Sequence, residues 1–192
     1  MKTSKEKTMC KKLSEIYQKK PEEFLVNVKI PIDIFKILDD KKIFVSDVDF
    51  NKLSLNRLFN KSEITGMACA HRDDLYLYYS SKTNADLKNI RFSIAHELAH
   101  CCLHMGKEAS YHIEMRTKKD ILDLQEDKLK SIDLIKEEEA DKFARDLLIP
   151  TNLLITFLRK KKKTTLAELS SIFCVPASEM VKKLREVVGG CK

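Results

Sequence analysis

His96-Glu97-Leu98-Ala99-His100 is the stretch of this chain best equipped for chemistry. On a helix, residues four apart lie about 40° apart around the axis, so both imidazoles face one way and can share a metal ion. Glu97 falls about 100° round from His96. There a carboxylate need not ligate the ion but can take a proton from a water that the ion acidifies. Zinc is the cofactor such a pattern predicts. The competing picture is a core helix with two buried, neutral, hydrogen-bonded histidines, and the combined spacing of the three residues weighs against it.

A tetrahedral zinc site that keeps one position open for water needs a third protein ligand. The best source is Glu137-Glu138-Glu139-Ala140-Asp141, where Glu137 and Asp141 again share a helix face. Spacing ranks Glu137 first as the ligand. Asp141 then becomes its neighbour outside the coordination sphere, accepting the free ring N–H of a ligating histidine and fixing the tautomer. His104, His112, Glu114 and the Cys101-Cys102 pair are rival ligands: His104 is a further turn along and about 80° away, the cysteines point off the shared face, and the other two require a loop that folds back. For the donor that stabilises an oxyanion, His71, His104, Tyr76 and Arg91 stand as unranked cleft candidates.

Positioning these groups requires two helices. Ile90, Phe92, Ile94, Ala95, Leu98 and Leu103 give an apolar pattern for a metal helix over residues 84–104, with Gly106 as terminator. Ile132, Leu134, Ile135, Ala140, Phe143, Ala144, Leu147 and Leu148 do the same for the glutamate-bearing helix. Upstream, the pattern predicts a basic helix over 5–19, a short helix over 32–39 and a strand over 43–48. An antiparallel pair over 64–70 and 75–79 follows, turning at His71-Arg72-Asp73-Asp74. The 75–79 strand is expected at the sheet edge, where an extended substrate could pair with it. Downstream come a helix over 152–159, a capping box at Thr165-Leu166-Ala167-Glu168 opening a helix to Phe173, a turn at Cys174-Val175-Pro176 and a helix over 178–188. That outline is a helix-turn-helix, but packing helices with Leu166, Leu169, Phe173, Val181 and Leu184 inward fit it better.

The fold class expected is therefore α+β: a small antiparallel or mixed sheet, the metal helix, the glutamate helix and a small helical C-terminal module. The expected division is a basic arm over 1–20, a metal-binding domain over 21–158 and the helical module over 159–192. At 192 residues the chain can bury one sizeable core, and with 43% hydrophobic and 34% charged residues it reads as globular. No apolar run approaches the roughly 18 residues that span a bilayer, and MKTSKEKTMCKK leads into no secretory stretch. A membrane role is not expected, and a cytoplasmic location is. The irregularly spaced Cys10, Cys69, Cys101, Cys102, Cys174 and Cys191 read as reduced thiols. The net charge of +7 resides at the ends. Residues 1–20 carry seven Lys against two Glu, and residues 159–192 nine Lys or Arg against three Glu, which leaves the middle at −4. Arg159-Lys160-Lys161-Lys162-Lys163 could attract nucleic acid, although a solvated linker is the commoner role, so nucleic-acid binding is not favoured.

Residues 91–100, RFSIAHELAH, followed by Leu103-His104, and residues 137–150, EEEADKFARDLLIP, resemble the two signature blocks of the ImmA/IrrE family of metallo-endopeptidases. The resemblance spans roughly residues 28–188. It implies a zincin-like fold with residues 21–158 as a metallopeptidase domain, His96, His100 and Glu137 as zinc ligands and Glu97 as catalytic base. It also implies a protein substrate, a helix-turn-helix repressor, cleaved in the control of a mobile element or stress response. Ala99 stands where glycine is common, Cys101-Cys102 replaces an aliphatic pair, and a charged interval of 36 residues, 101–136, separates His100 from Glu137 and could gate the site. The alternative function is a DNA-binding or repressor-binding regulator with a structural zinc and no peptidase activity.

Overall fold

The structure, a computed structural model, describes residues 10–50, 52, 63–82, 85–105, 111–116, 127–161 and 163–189. Gly106, Lys162, Cys191 and residues 1–9 of the expected basic arm lie outside them. Among the described residues, α1 (Lys11–Ile16), a 3-10 turn (Pro21–Phe24) and α2 (Ile34–Asp40) precede a four-stranded mixed sheet. Its strands are β1 (Phe44–Asp47), β2 (Glu63–His71), β3 (Asp74–Tyr79) and β4 (Tyr111–Arg116), in the spatial order β1-β3-β2-β4. β2 and β3 form the expected antiparallel pair, with Ala68 opposite Leu77 and His71 opposite Asp74. β1 joins β3 in parallel, and β4 joins β2 antiparallel. The fold is α+β, as the sequence predicts.

Strand order corrects one expectation. β3 is hydrogen-bonded on both sides and is not an edge; β1 and β4 bound the sheet. β4 arises inside the charged 101–136 interval, in a segment whose Tyr111, Ile113 and Met115 alternate with His112, Glu114 and Arg116.

α3 (Leu87–Leu103) crosses the inner face of the sheet, against Ala68, Leu75 and Leu77. Asp86 caps it by accepting from the Lys88 N–H. Every residue from Arg91 to Cys102 is buried, so this stretch of the helix has no solvent face, and its polar side chains must find partners inside the protein. α4 (Asp127–Leu148) packs along α3, with Ala140 and Ala144 fully buried on its inner face. Their small size permits the close approach that brings Glu137 and Asp141 to the histidines.

α5 (Thr151–Lys160), α6 (Leu166–Phe173) and α7 (Ala177–Gly189) complete the chain. The capping box forms as predicted: Thr165 Oγ1 accepts from the Glu168 N–H, and the Glu168 carboxylate accepts from the Thr165 N–H. Cys174 ends α6 in the left-handed region, φ 52°, in the place where glycine is frequent in a helix-turn-helix. Its carbonyl accepts from Arg91 Nε at 3.1 Å, which ties the turn to α3. Leu169, Phe173 and Met180 are buried in the same apolar cluster as Leu13, Leu98 and Ala144, whereas Leu166, expected inward, is exposed. The polar face of α7 is also engaged. Arg145 of α4 pairs with Glu179 at 3.0 Å and Glu186 at 3.1 Å, and the buried Lys183 pairs with Asp146.

Two stability predictions follow from this docking. Arg145→Met leaves the buried Glu179 with only the half-exposed Lys182 as partner, and loss of the charged hydrogen bond from the guanidinium should cost about 1.5–3 kcal/mol. Urea denaturation checks it, and a loss below about 1 kcal/mol, the scale of an exposed pair, would contradict it. The second concerns acid. Burial alone would raise the Asp146 carboxyl, yet hydrogen bonds from Lys142 and Lys183 outweigh it and hold the group below the ordinary carboxylate range. With the folded value below the unfolded one, this stabilisation is complete above the unfolded pKa of about 3.9 and is lost as pH falls through the folded value. Asp146→Asn should therefore flatten the acid limb of the thermal stability curve. An acid limb identical to that of the wild type would contradict the assignment.

Candidate metal centre

α3 and α4 meet with their polar groups face to face. His96 Nε2 lies 2.9 Å from His100 Nε2 and 3.1 Å from Glu137 Oε2, and His100 Nε2 lies 3.3 Å from Glu137 Oε1. One donor atom from each of the three residues falls within 4.8 Å of the others. Bonds of about 2.0–2.1 Å to a tetrahedral zinc put its ligands about 3.3–3.4 Å apart, close to these separations. On the far side of the ring, His96 Nδ1 is 3.0 Å from Asp141 Oδ1. A carboxylate only accepts, so Nδ1 carries the proton, and in a neutral imidazole Nε2 keeps its lone pair for the shared point. Two imidazole nitrogens and a carboxylate converging in this way form a donor set compatible with zinc.

Burial sharpens the electrostatics. His96 is 3% exposed, His100 1% and Glu97 0%, so a carboxylate next in sequence to the imidazole pair is held away from water. Asp141 would be raised by burial, but the His96 hydrogen bond and the charges of Lys182 and Arg145 hold it below the ordinary carboxylate range. Burial pushes the thiol of Cys102 up to about 12 and raises that of Cys101 well above its usual value. Neither is a thiolate at neutral pH, so neither of these two cysteines is suited to act as a nucleophile. Cys10, Cys69, Cys101, Cys102 and Cys174 form no disulfide among the described residues.

The structure thus brings together His96, His100, Glu137 and Asp141, with the buried Glu97 next to His96 in sequence. His104 joins them as a strut: its ring centroid is 5.1 Å from that of His100, and Nε2 donates to the carbonyl of Lys136 at 3.0 Å, one residue before Glu137. The other cleft candidates are placed elsewhere. Arg91 is buried and donates to the carbonyls of Ile32 and Cys174. Tyr76 stacks between Phe44, at 5.1 Å, and Tyr78, at 6.3 Å, on the face of the sheet opposite the buried Leu75 and Leu77. His71 is exposed at the end of β2. His112 and Glu114 lie on β4, whose side chains fall outside the described ones. Lys182 is the group that sequence reasoning missed: its Nζ reaches within 3.6 Å of Asp141 Oδ2 from α7, a long-range approach that local spacing does not encode.

Two histidines and a glutamate on adjacent helices are compatible with a metallopeptidase, the class that the family comparison supports. The chain matches the family model described as Peptidase_M78, IrrE N-terminal-like domain, over residues 69–185, and it belongs to this ImmA/IrrE family. No curated protein matches the chain in sequence. Among the described residues, no helix is long and apolar enough to cross a membrane.

Proposed function

We propose that the protein is a zinc-dependent metallo-endopeptidase that cleaves a helix-turn-helix transcriptional repressor, in the regulation of a mobile element or stress response. The observation that carries the hydrolytic reading is the convergence of His96, His100 and Glu137, on a helix where the buried Glu97 follows His96 in sequence. His96 and His100 would hold the ion through Nε2 and Glu137 through its carboxylate, with Asp141 keeping the proton on His96 Nδ1. Bound zinc would supply Lewis acidity, which lowers the pKa of a water and polarises a peptide carbonyl. The Glu97 carboxylate takes the proton of the attacking water and returns it to the departing amine nitrogen. Residues 21–158 carry this chemistry, and the helical module 159–192 braces it.

The presence of Glu97 supports a base in preference to a purely structural site, which would more often be closed by a fourth ligand and would need none. Engagement of Glu179, Lys183 and Glu186 with α4 supports a protein substrate over DNA, because a recognition helix needs its first turns for base edges. The test is incubation of zinc-loaded protein with the repressor encoded beside its gene, followed by mass spectrometry of the products. Discrete fragments that vanish with chelator are expected. An intact repressor that co-purifies with the protein on long incubation would instead establish binding without cleavage.

A further inference from the structure

We propose that Lys182 of α7 is a positioning residue of the metal centre, which fixes the plane of the Asp141 carboxylate so that its Oδ1 faces His96 Nδ1. The inference rests on the reading of His96 as a ligand and Asp141 as its outer partner. Asp141 uses its two oxygens differently: Oδ1 lies 3.0 Å from His96 Nδ1, and Oδ2 lies 3.6 Å from Lys182 Nζ. A carboxylate held at one oxygen can still turn about its terminal torsion, which is broad. A charge at the second oxygen opposes that turn.

Lys182 is half-exposed, at 48% for its side chain, and an isolated pair with such a lysine would orient little. Here it is tethered. Lys182 Nζ lies 2.8 Å from Glu179 Oε1, and Glu179 Oε2 lies 3.0 Å from an Arg145 terminal nitrogen. Arg145 sits one turn beyond Asp141 on α4, and Glu179 one turn before Lys182 on α7. Asp141, Lys182, Glu179 and Arg145 therefore form a strip of alternating charge whose two ends are both fixed to α4. The strip has two acids and two bases, and its Glu179 and Arg145 are buried. The C-terminal helices consequently reach the histidine that would hold the metal, although no residue of theirs lies among the ligands.

Zinc affinity of the full chain, measured by competition with a chromophoric chelator, tests the proposal, with thermal unfolding of each metal-free variant alongside. Lys182→Met should weaken zinc binding about 3- to 10-fold, less than the roughly 10- to 100-fold expected when an outer partner such as Asp141 is itself removed. In the Asp141→Asn background, Lys182→Met should add nothing, because the group it orients no longer holds the charge. Lys182→Arg should restore affinity. Lys183→Met, which breaks the neighbouring pair with Asp146, should lower the Tm without changing zinc affinity, and so separates docking from positioning. Wild-type affinity in Lys182→Met, losses that multiply in the double variant, or an equal loss in Lys183→Met would overturn the proposal alone. A wild-type chain that takes up no zinc would overturn the reading of the site and the proposal with it.

Discussion

Glu97→Gln is expected to lower peptide hydrolysis by about 10²- to 10⁴-fold, the usual contribution of a positioned general base, with zinc still bound. Glutamine matches glutamate in volume and keeps a polar atom at each position, so this fully buried site loses its proton acceptor without gaining a cavity. The loss should fall on kcat, since the proton moves only as the water attacks. A quenched fluorescent peptide carrying the cleaved sequence gives both constants, and metal analysis of the same sample gives zinc content. Equal turnover by wild type and variant would dispose of the catalytic role. Loss of both turnover and zinc would move Glu97 into the coordination sphere.

Glu137→Ala should weaken zinc binding by more than about 100-fold, beyond the range seen when only an outer partner is lost, and abolish turnover. The Glu137 side chain is 43% exposed and packs little, so the metal-free variant should unfold at nearly the wild-type temperature. What it should lose is the rise in Tm that zinc confers on the wild type, since a ligand stabilises only the state that binds it. This split separates a ligand from a structural residue. If zinc raises the Tm of the variant as much as that of the wild type, another acid completes the site.

The site was largely legible because its geometry is local. His96 with His100, and Glu137 with Asp141, are each four residues apart on a helix, and that spacing alone sets a shared face. The apolar pattern likewise placed α3 and α4, and the capping box placed the start of α6. Sheet order is different: β3 has the same alternation whether it lies inside or at an edge, and only the long-range arrival of β1 decides the matter. β4 had a readable signal, the strict alternation of Tyr111, Ile113 and Met115, but it lay within an interval read as a charged loop. Arg91 and Tyr76 illustrate the limit for side chains. Arginine and tyrosine near a metal motif suit a cleft, yet one secures the turn after α6 and the other belongs to an aromatic row on the outer face of the sheet.

Two helices converging on one divalent cation are the heart of this account, and anomalous diffraction at the zinc absorption edge from crystals of the zinc-loaded protein locates that cation directly. The account predicts a single strong peak about 2.0–2.2 Å from His96 Nε2, His100 Nε2 and a Glu137 oxygen, with a remaining position filled by solvent. A peak coordinated by other side chains, or a fourth protein ligand closing the sphere, would contradict it.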